Sequence, residues 1–124
     1  MKKSLYVTLS VLGVSLVLII GAWTVMAQDL AKISPQDVKV LLENDRVRVL
    51  DVQHQPGGKE PMHSHPAYVA YALTNLTMKV TSPDGKTVVK ERKAGEVNWG
   101  EPVTHAIENV GTTEFHMLVV ELKK

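Results

Sequence analysis

The sequence predicts an all-β sandwich or barrel preceded by a hydrophobic N-terminal signal or anchor helix. Three observations carry this prediction. Short runs rich in β-branched and apolar residues recur at close spacing from Val38 to Leu122. Turn-forming clusters separate them: Glu43-Asn44-Asp45, Gln55-Pro56-Gly57-Gly58, Ser82-Pro83-Asp84-Gly85-Lys86 and Gly111-Thr112-Thr113. No convincing amphipathic helix follows Ala27. Many short strands with Gly/Pro turns are the pattern of all-β folds.

The elements follow in chain order. Lys2 and Lys3 form a basic start, and Leu5 to Ile20 is an almost purely apolar run. Trp23-Thr24-Val25-Met26-Ala27-Gln28 places small or apolar residues where a signal peptidase reads. Residues 1–27 therefore read as a secretory signal peptide, with Ala27 the last residue removed. The alternative is an uncleaved anchor, since residues 5–26 are long enough for a hydrocarbon core of about 30 Å. Export to the periplasm or the outside is the expectation in the first case. In the second, the domain hangs outside the inner membrane. Residues 28–37 read as a polar lead-in interrupted by Ser34-Pro35, and residues 38–124 as the folded barrel.

Strands are expected at Val38–Leu42, Arg46–Gln53, Tyr68–Leu73 and Leu76–Thr81. The strong hairpin turn at Pro83-Asp84-Gly85 returns the chain along Thr87–Arg92. Val97–Trp99, Ala106–Asn109 and Phe115–Leu122 complete the set. Phe115–Leu122 is apolar on both faces over part of its length, which suits a strand inside the barrel or at a dimer seam.

Composition narrows the function. Without Lys2 and Lys3 the basic count falls from 14 to 12 against 13 acidic residues, a net charge of −1. No basic stripe remains, so nucleic acid is an unsuitable partner. There is no cysteine. Disulfides and lipidation of an N-terminal cysteine are both excluded, although export leads to an oxidising compartment.

The chemistry concentrates in histidine. His63 and His65 sit two residues apart, which places both on one face of a strand. His105 comes from a different strand and completes an open-sided group of three imidazoles. Three neutral imidazoles hold Zn²⁺, Fe²⁺, Mn²⁺, Ni²⁺ or Cu²⁺ at about 2.0–2.2 Å and leave coordination positions open to water, O₂ or substrate.

Neighbouring residues carry weaker signals. His54 shares parity with Leu50 and Val52 and reads as structural or as part of the cavity rim. His116, on the last strand, reads as satisfied or exposed. Glu60 and Glu101 are the nearest carboxylates; both fall in predicted loops, where a solvated charge is the default and a fourth-ligand or general-base role the alternative. Tyr68 and Tyr71 point to opposite faces, so only one lines the interior. Trp99 walls the pocket or joins the core, with the core favoured. Asn109 reads as a tie for the strand or loop backbone.

These residues resemble the cupin superfamily of small jelly-roll barrels. Gly57, five residues and His63-Ser64-His65 match the opening of its first motif. Gly95, His105 and Asn109 fall at the offsets of its second. The resemblance covers the domain from about Val38 to Leu122 and implies a cupin-type jelly-roll β-barrel with His63, His65 and His105 as metal ligands.

The departures are specific. No Glu follows His65 at the family position, where Val69, Ala70 or Tyr68 falls instead. Asn75, which tolerates left-handed backbone, stands for the closing Gly. Glu101 and Pro102 replace the expected Pro and Gly of the second motif. Losing the Glu makes a metallated site more positive by one charge, favouring an anionic ligand such as an enolate, carboxylate or thiolate. Some cupin-like dioxygenases work on three histidines.

The resemblance implies a metal-dependent oxygenase, or a related lyase or isomerase, acting on a small anionic molecule. Tyr68 and Glu101 are then the acid/base candidates. The alternatives are a non-catalytic barrel that binds a small ligand or metal as a sensor or accessory protein, and a dimeric barrel with a vestigial site. A homodimer through Phe115–Leu122 as an apolar edge is a further expectation.

Overall fold

The computed structural model describes residues 28–124, so the expected signal or anchor segment lies outside the described residues. A single turn of helix, α1 (Leu30–Ile33), leads into nine strands. These are β1 (Val38–Glu43), β2 (Val47–His54), β3 (Lys59–His65), β4 (Tyr68–Ala72), β5 (Leu76–Thr81), β6 (Thr87–Arg92), β7 (Val97–Gly100), β8 (Val103–Asn109) and β9 (Phe115–Leu122). Among the described residues, no helix is long and apolar enough to cross a membrane.

The strands form two antiparallel sheets, ordered β1-β2-β9-β4-β7 and β3-β8-β5-β6. The inner faces supply one core that includes Leu50, Val52, Ala72, Met78, Ile107 and Phe115. No strand pairing joins the two sheets among the described residues, so the expected barrel is two facing sheets rather than a closed ring.

Three features differ from expectation for identifiable reasons. First, the lead-in is not merely polar: Asp29 caps α1 by accepting the Ala31 N–H at 3.0 Å, which turns Leu30 into the core at 1% exposure. Second, β9 pairs with β2 on one side and β4 on the other. It therefore has no free edge for a dimer seam, and its two-sided apolarity belongs to an interior strand. Third, Asn75 does not use left-handed backbone, since no non-glycine residue among those described has positive φ. Its side-chain oxygen instead accepts the Ala94 N–H at 2.9 Å.

The two motif glycines do need their freedom. Gly57 and Gly95 adopt φ of +82° and +89°, a region costly for residues bearing a Cβ. They turn the chain just before β3 and β7. Strand bounds around the histidines also become definite. β3 is a full strand over Lys59–His65, and β8 begins at Val103, three residues before the expected Ala106, so His105 lies within it as expected of a strand residue.

The β3–β8 ladder contains one irregularity that shapes the site. His63 pairs with His105 and Glu60 pairs with Ile107, so β3 holds one extra residue between them. A bulge of this kind inverts side-chain parity along the strand. Glu60, His63 and His65 consequently all face inward and are buried.

Candidate metal centre

β3 and β8 bring the three sequence-predicted histidines together. His63 lies directly opposite His105, and His65 follows on the same face. Ring centroids are 4.8 Å apart for His63–His65, 4.8 Å for His63–His105 and 5.6 Å for His65–His105. One nitrogen from each ring lies within 4.8 Å of the others. Donors about 2.1 Å from one ion are separated by roughly 3–4 Å, so small side-chain adjustments bring the set into range.

Two of the rings are fixed in a ligating tautomer. His63 Nδ1 lies 2.7 Å from the Pro61 carbonyl, which only accepts, so Nδ1 carries the proton and Nε2 keeps a lone pair. That Nε2 is buried and has no hydrogen-bond partner. His65 Nδ1 donates to Glu121 Oε2 at 2.8 Å, a carboxylate–histidine pairing of the type that orients metal ligands. Burial lowers the pKa of His63, and burial together with the neighbouring imidazoles lowers that of His105 to about 3. Both rings are therefore neutral at neutral pH, the state a metal ligand requires.

Glu121 anchors a chain of charges behind His65. Its Oε1 accepts from Arg48 Nε at 2.7 Å, and Arg48 also donates to both Asp29 oxygens at 2.6 and 2.8 Å. Burial alone would raise the Glu121 pKa; hydrogen bonds from His65 and Arg48 outweigh it and hold the value below the usual carboxylate range. Glu121 was not singled out in the sequence. The available signal is its parity, which continues the inward series Phe115, Met117, Val119.

Glu60 is the second carboxylate beside the histidines, and its burial differs from expectation. The sequence places it in a loop as a solvated charge; the structure corrects this to a buried residue of β3 at 4% exposure. The bulge is the reason. Its Oε2 lies 3.0 Å from His54 Nε2 and its Oε1 lies 3.8 Å from His63 Nε2. His54 is structural, buried beside Phe115 in a ring stack 4.3 Å between centroids. His116 is half-buried and its Nε2–H donates to Asp51 Oδ1 at 2.7 Å, away from the three histidines. Asn109 ties backbone, donating to the Thr113 carbonyl at 2.9 Å and accepting from the Gly111 N–H at 3.0 Å.

His65 and His105, with Glu60, line a cavity of about 450 Å³ between the sheets. Leu30, Ala70, Met117 and Val119 contribute apolar wall. Lys90, Trp99 and Glu101 line it and are exposed, so they mark its mouth, with half-buried Arg92 beside them. Trp99 is 58% exposed, which corrects its expected place in the core. It belongs to the edge strand β7, and its Nε1–H donates to Glu101 Oε1 at 2.8 Å.

Of the acid/base candidates, Glu101 is exposed at this mouth, whereas Tyr68 is half-buried with its ring 5.2 Å from that of His65. Burial raises the Tyr68 pKa, so its phenol is a donor at neutral pH. Tyr71 points to the opposite, exposed side.

This fold is shared with solved structures. The chain is similar to a cupin domain from Bordetella pertussis Tohama I, with 29% identity over 70% of this chain and 92% of that one and a TM-score of 0.65. It has the cupin double-stranded β-helix fold. Two more distant structures share the cupin fold. One is a cupin superfamily protein from Desulfitobacterium hafniense DCB-2, at 18% identity over 70% of this chain and 76% of that chain, TM-score 0.54. The other is the polyketide cyclase RemF from Streptomyces resistomycificus, at 23% identity over 70% and 64%, TM-score 0.53. No protein-family profile and no curated protein matches the chain. Within this fold, Tyr68 and Ala70 both face the cavity from β4, so the strand after His65 presents a phenol and a methyl group and no carboxylate.

Proposed function

We propose that His63, His65 and His105 hold one divalent transition metal and that the domain is an exported metal-dependent enzyme acting on a small anionic molecule. The observation that carries the metal reading is the buried His63 Nε2, a lone pair without a partner beside two further imidazoles. A buried polar atom left unsatisfied is costly, and a cation relieves it. The donor set suits Zn²⁺, Fe²⁺, Mn²⁺, Ni²⁺ or Cu²⁺. Once bound, such a metal supplies Lewis acidity or a binding position for O₂ or substrate.

The protein's own residues indicate the substrate class. Lys90 and Arg92 place two cations on the cavity lining. They draw an anion inward, and the apolar wall excludes water around it. Tyr68 is positioned over His65 to donate a hydrogen bond to a ligand there. An oxygenase, or a related lyase or isomerase, is the reaction class this supports. Export rests on the 1–27 signal pattern, which mass spectrometry of the exported protein tests by finding a mature N-terminus at Gln28.

Metal analysis of protein purified without a polyhistidine tag tests the central claim. Near one equivalent is expected; less than about a tenth, with no uptake on titration, sinks it. His63→Ala and His105→Ala should abolish uptake and His116→Ala should not. Oxygen consumption by the metal-loaded protein, screened with thiols, diketones and phenolic acids, then separates an oxygenase from a binding protein.

A further inference from the structure

We infer that Glu60 is a fourth donor to the metal, delivered by the β3 bulge and positioned by His54. This rests on the metal reading above and goes beyond its three-histidine set. Without the bulge, Glu60 and His63 would be three apart on a regular strand and face opposite sides. The register change between the Glu60–Ile107 and His63–His105 pairs puts both on the cavity face. Pro61 occupies the bulge, where a residue lacking an N–H does least harm to a ladder.

The contact between Glu60 and His63 is chemically incomplete. His63 Nε2 is the lone-pair nitrogen, because Nδ1 donates to Pro61. A Glu60 carboxylate offers only acceptors. The two atoms lie 3.8 Å apart, both buried, and no hydrogen bond joins them. Two acceptors facing one another at this separation need a cation between them. Donors at about 2.0–2.2 Å from one ion span at most about 4.4 Å, so the observed distance is within reach of a single metal.

The second carboxylate oxygen is already occupied. His54 Nε2 lies 3.0 Å from Glu60 Oε2, and the His54 ring is clamped against Phe115 with an interplanar angle of 12°. His54 is thus a positioning residue that leaves Oε1 free toward His63. No Lys or Arg pairs with Glu60 among the described residues. The carboxylate missing after His65 is replaced from upstream, and a divalent site then carries one positive charge fewer than three histidines alone would give it.

The test is metal binding, not turnover. Wild type, Glu60→Gln and Glu101→Gln are titrated with Co²⁺ against a competing chelator, and the visible ligand-field spectrum is recorded. Glu60→Gln should lose at least about tenfold in affinity and change the spectrum, whereas Glu101→Gln should do neither. A folded Glu60→Gln protein with wild-type affinity and spectrum overturns the inference while leaving the three-histidine site standing. Failure of the wild type to bind Co²⁺ removes both. If Glu60→Gln does not fold, the crystal structure of the wild-type Co²⁺ complex decides. A Glu60 oxygen at about 2.0–2.2 Å from the metal supports the inference, and one held by His54 alone, beyond about 3 Å, overturns it.

Discussion

Replacing Glu121 by Gln isolates the charge chain behind His65. The substitution keeps size and shape but changes what each end can offer. In the native protein one carboxylate oxygen receives His65 Nδ1–H at 2.8 Å and the other receives Arg48. An amide has one oxygen and one NH₂. If the oxygen serves Arg48, the NH₂ meets the His65 donor; if the oxygen serves His65, the NH₂ meets Arg48. Either way one buried donor loses its partner, which costs about 1–3 kcal/mol.

His65 can escape the first clash by moving its proton to Nε2, but that occupies the lone pair needed for the metal. Metal affinity should therefore fall about 10–100-fold, equivalent to about 1.4–2.8 kcal/mol. Chelator competition measures the affinity, and urea unfolding of the metal-free protein measures the structural part separately. A Glu121→Gln protein that binds metal within about twofold of wild type would refute the orienting role, because lost ligand basicity should exceed that margin.

Three further outcomes are expected. Gly100→Ala would drive a new Cβ into the Tyr68 ring that lies across it, so the phenol must leave its half-buried place and its ionisation should return toward the ordinary value of 10.0; an unchanged ultraviolet pH titration would contradict this. The metal-free protein should weaken in acid. The His105 pKa is lowered from 6.5 to about 3 in the fold, so the unfolded chain binds more protons between those values, and stability is complete above pH 6.5 and falls through that window. Equal urea midpoints at pH 7.5 and 5 would contradict it. Leu30→Ala, at a site with 1% exposure, should destabilise by about 2–5 kcal/mol, read by the same unfolding assay, whereas a residue in a merely polar lead-in would give almost no change.

The legible parts of this protein were those governed by local rules. Period-two alternation placed β2 correctly, with Leu50, Val52 and His54 inward, and the Pro83-Asp84-Gly85 turn joined β5 to β6. His63, His65 and His105 met because strand spacing and motif offsets leave little freedom.

The residues that were not legible depend on breaks in the pattern or on partners far away in sequence. Glu60 was a candidate by proximity, but its inward, buried position exists only through the bulge, whose sole local sign is Pro61. Glu121 gains its role from Arg48 and His65, 73 and 56 residues away, while its own strand reads as simply apolar. Trp99 is drawn out of the core because β7 is an edge strand, which no alternation pattern encodes.

The lead-in has a consequence for how the protein is made. The Gln28 carbonyl accepts the N–H of Ser64, the residue between two of the histidines, at 2.9 Å. Asp29 holds Arg48, and Leu30 lines the cavity. The first residues beyond the expected cleavage point therefore brace the pocket: Leu30 lines it, while Gln28 and Asp29 hold residues of the strands behind it. A cut on the far side of Leu30 would release a domain with every histidine present and the cavity unsealed. Where processing occurs, its accuracy becomes a determinant of the chemistry, and a recombinant domain started at Val38 would be the wrong protein to assay.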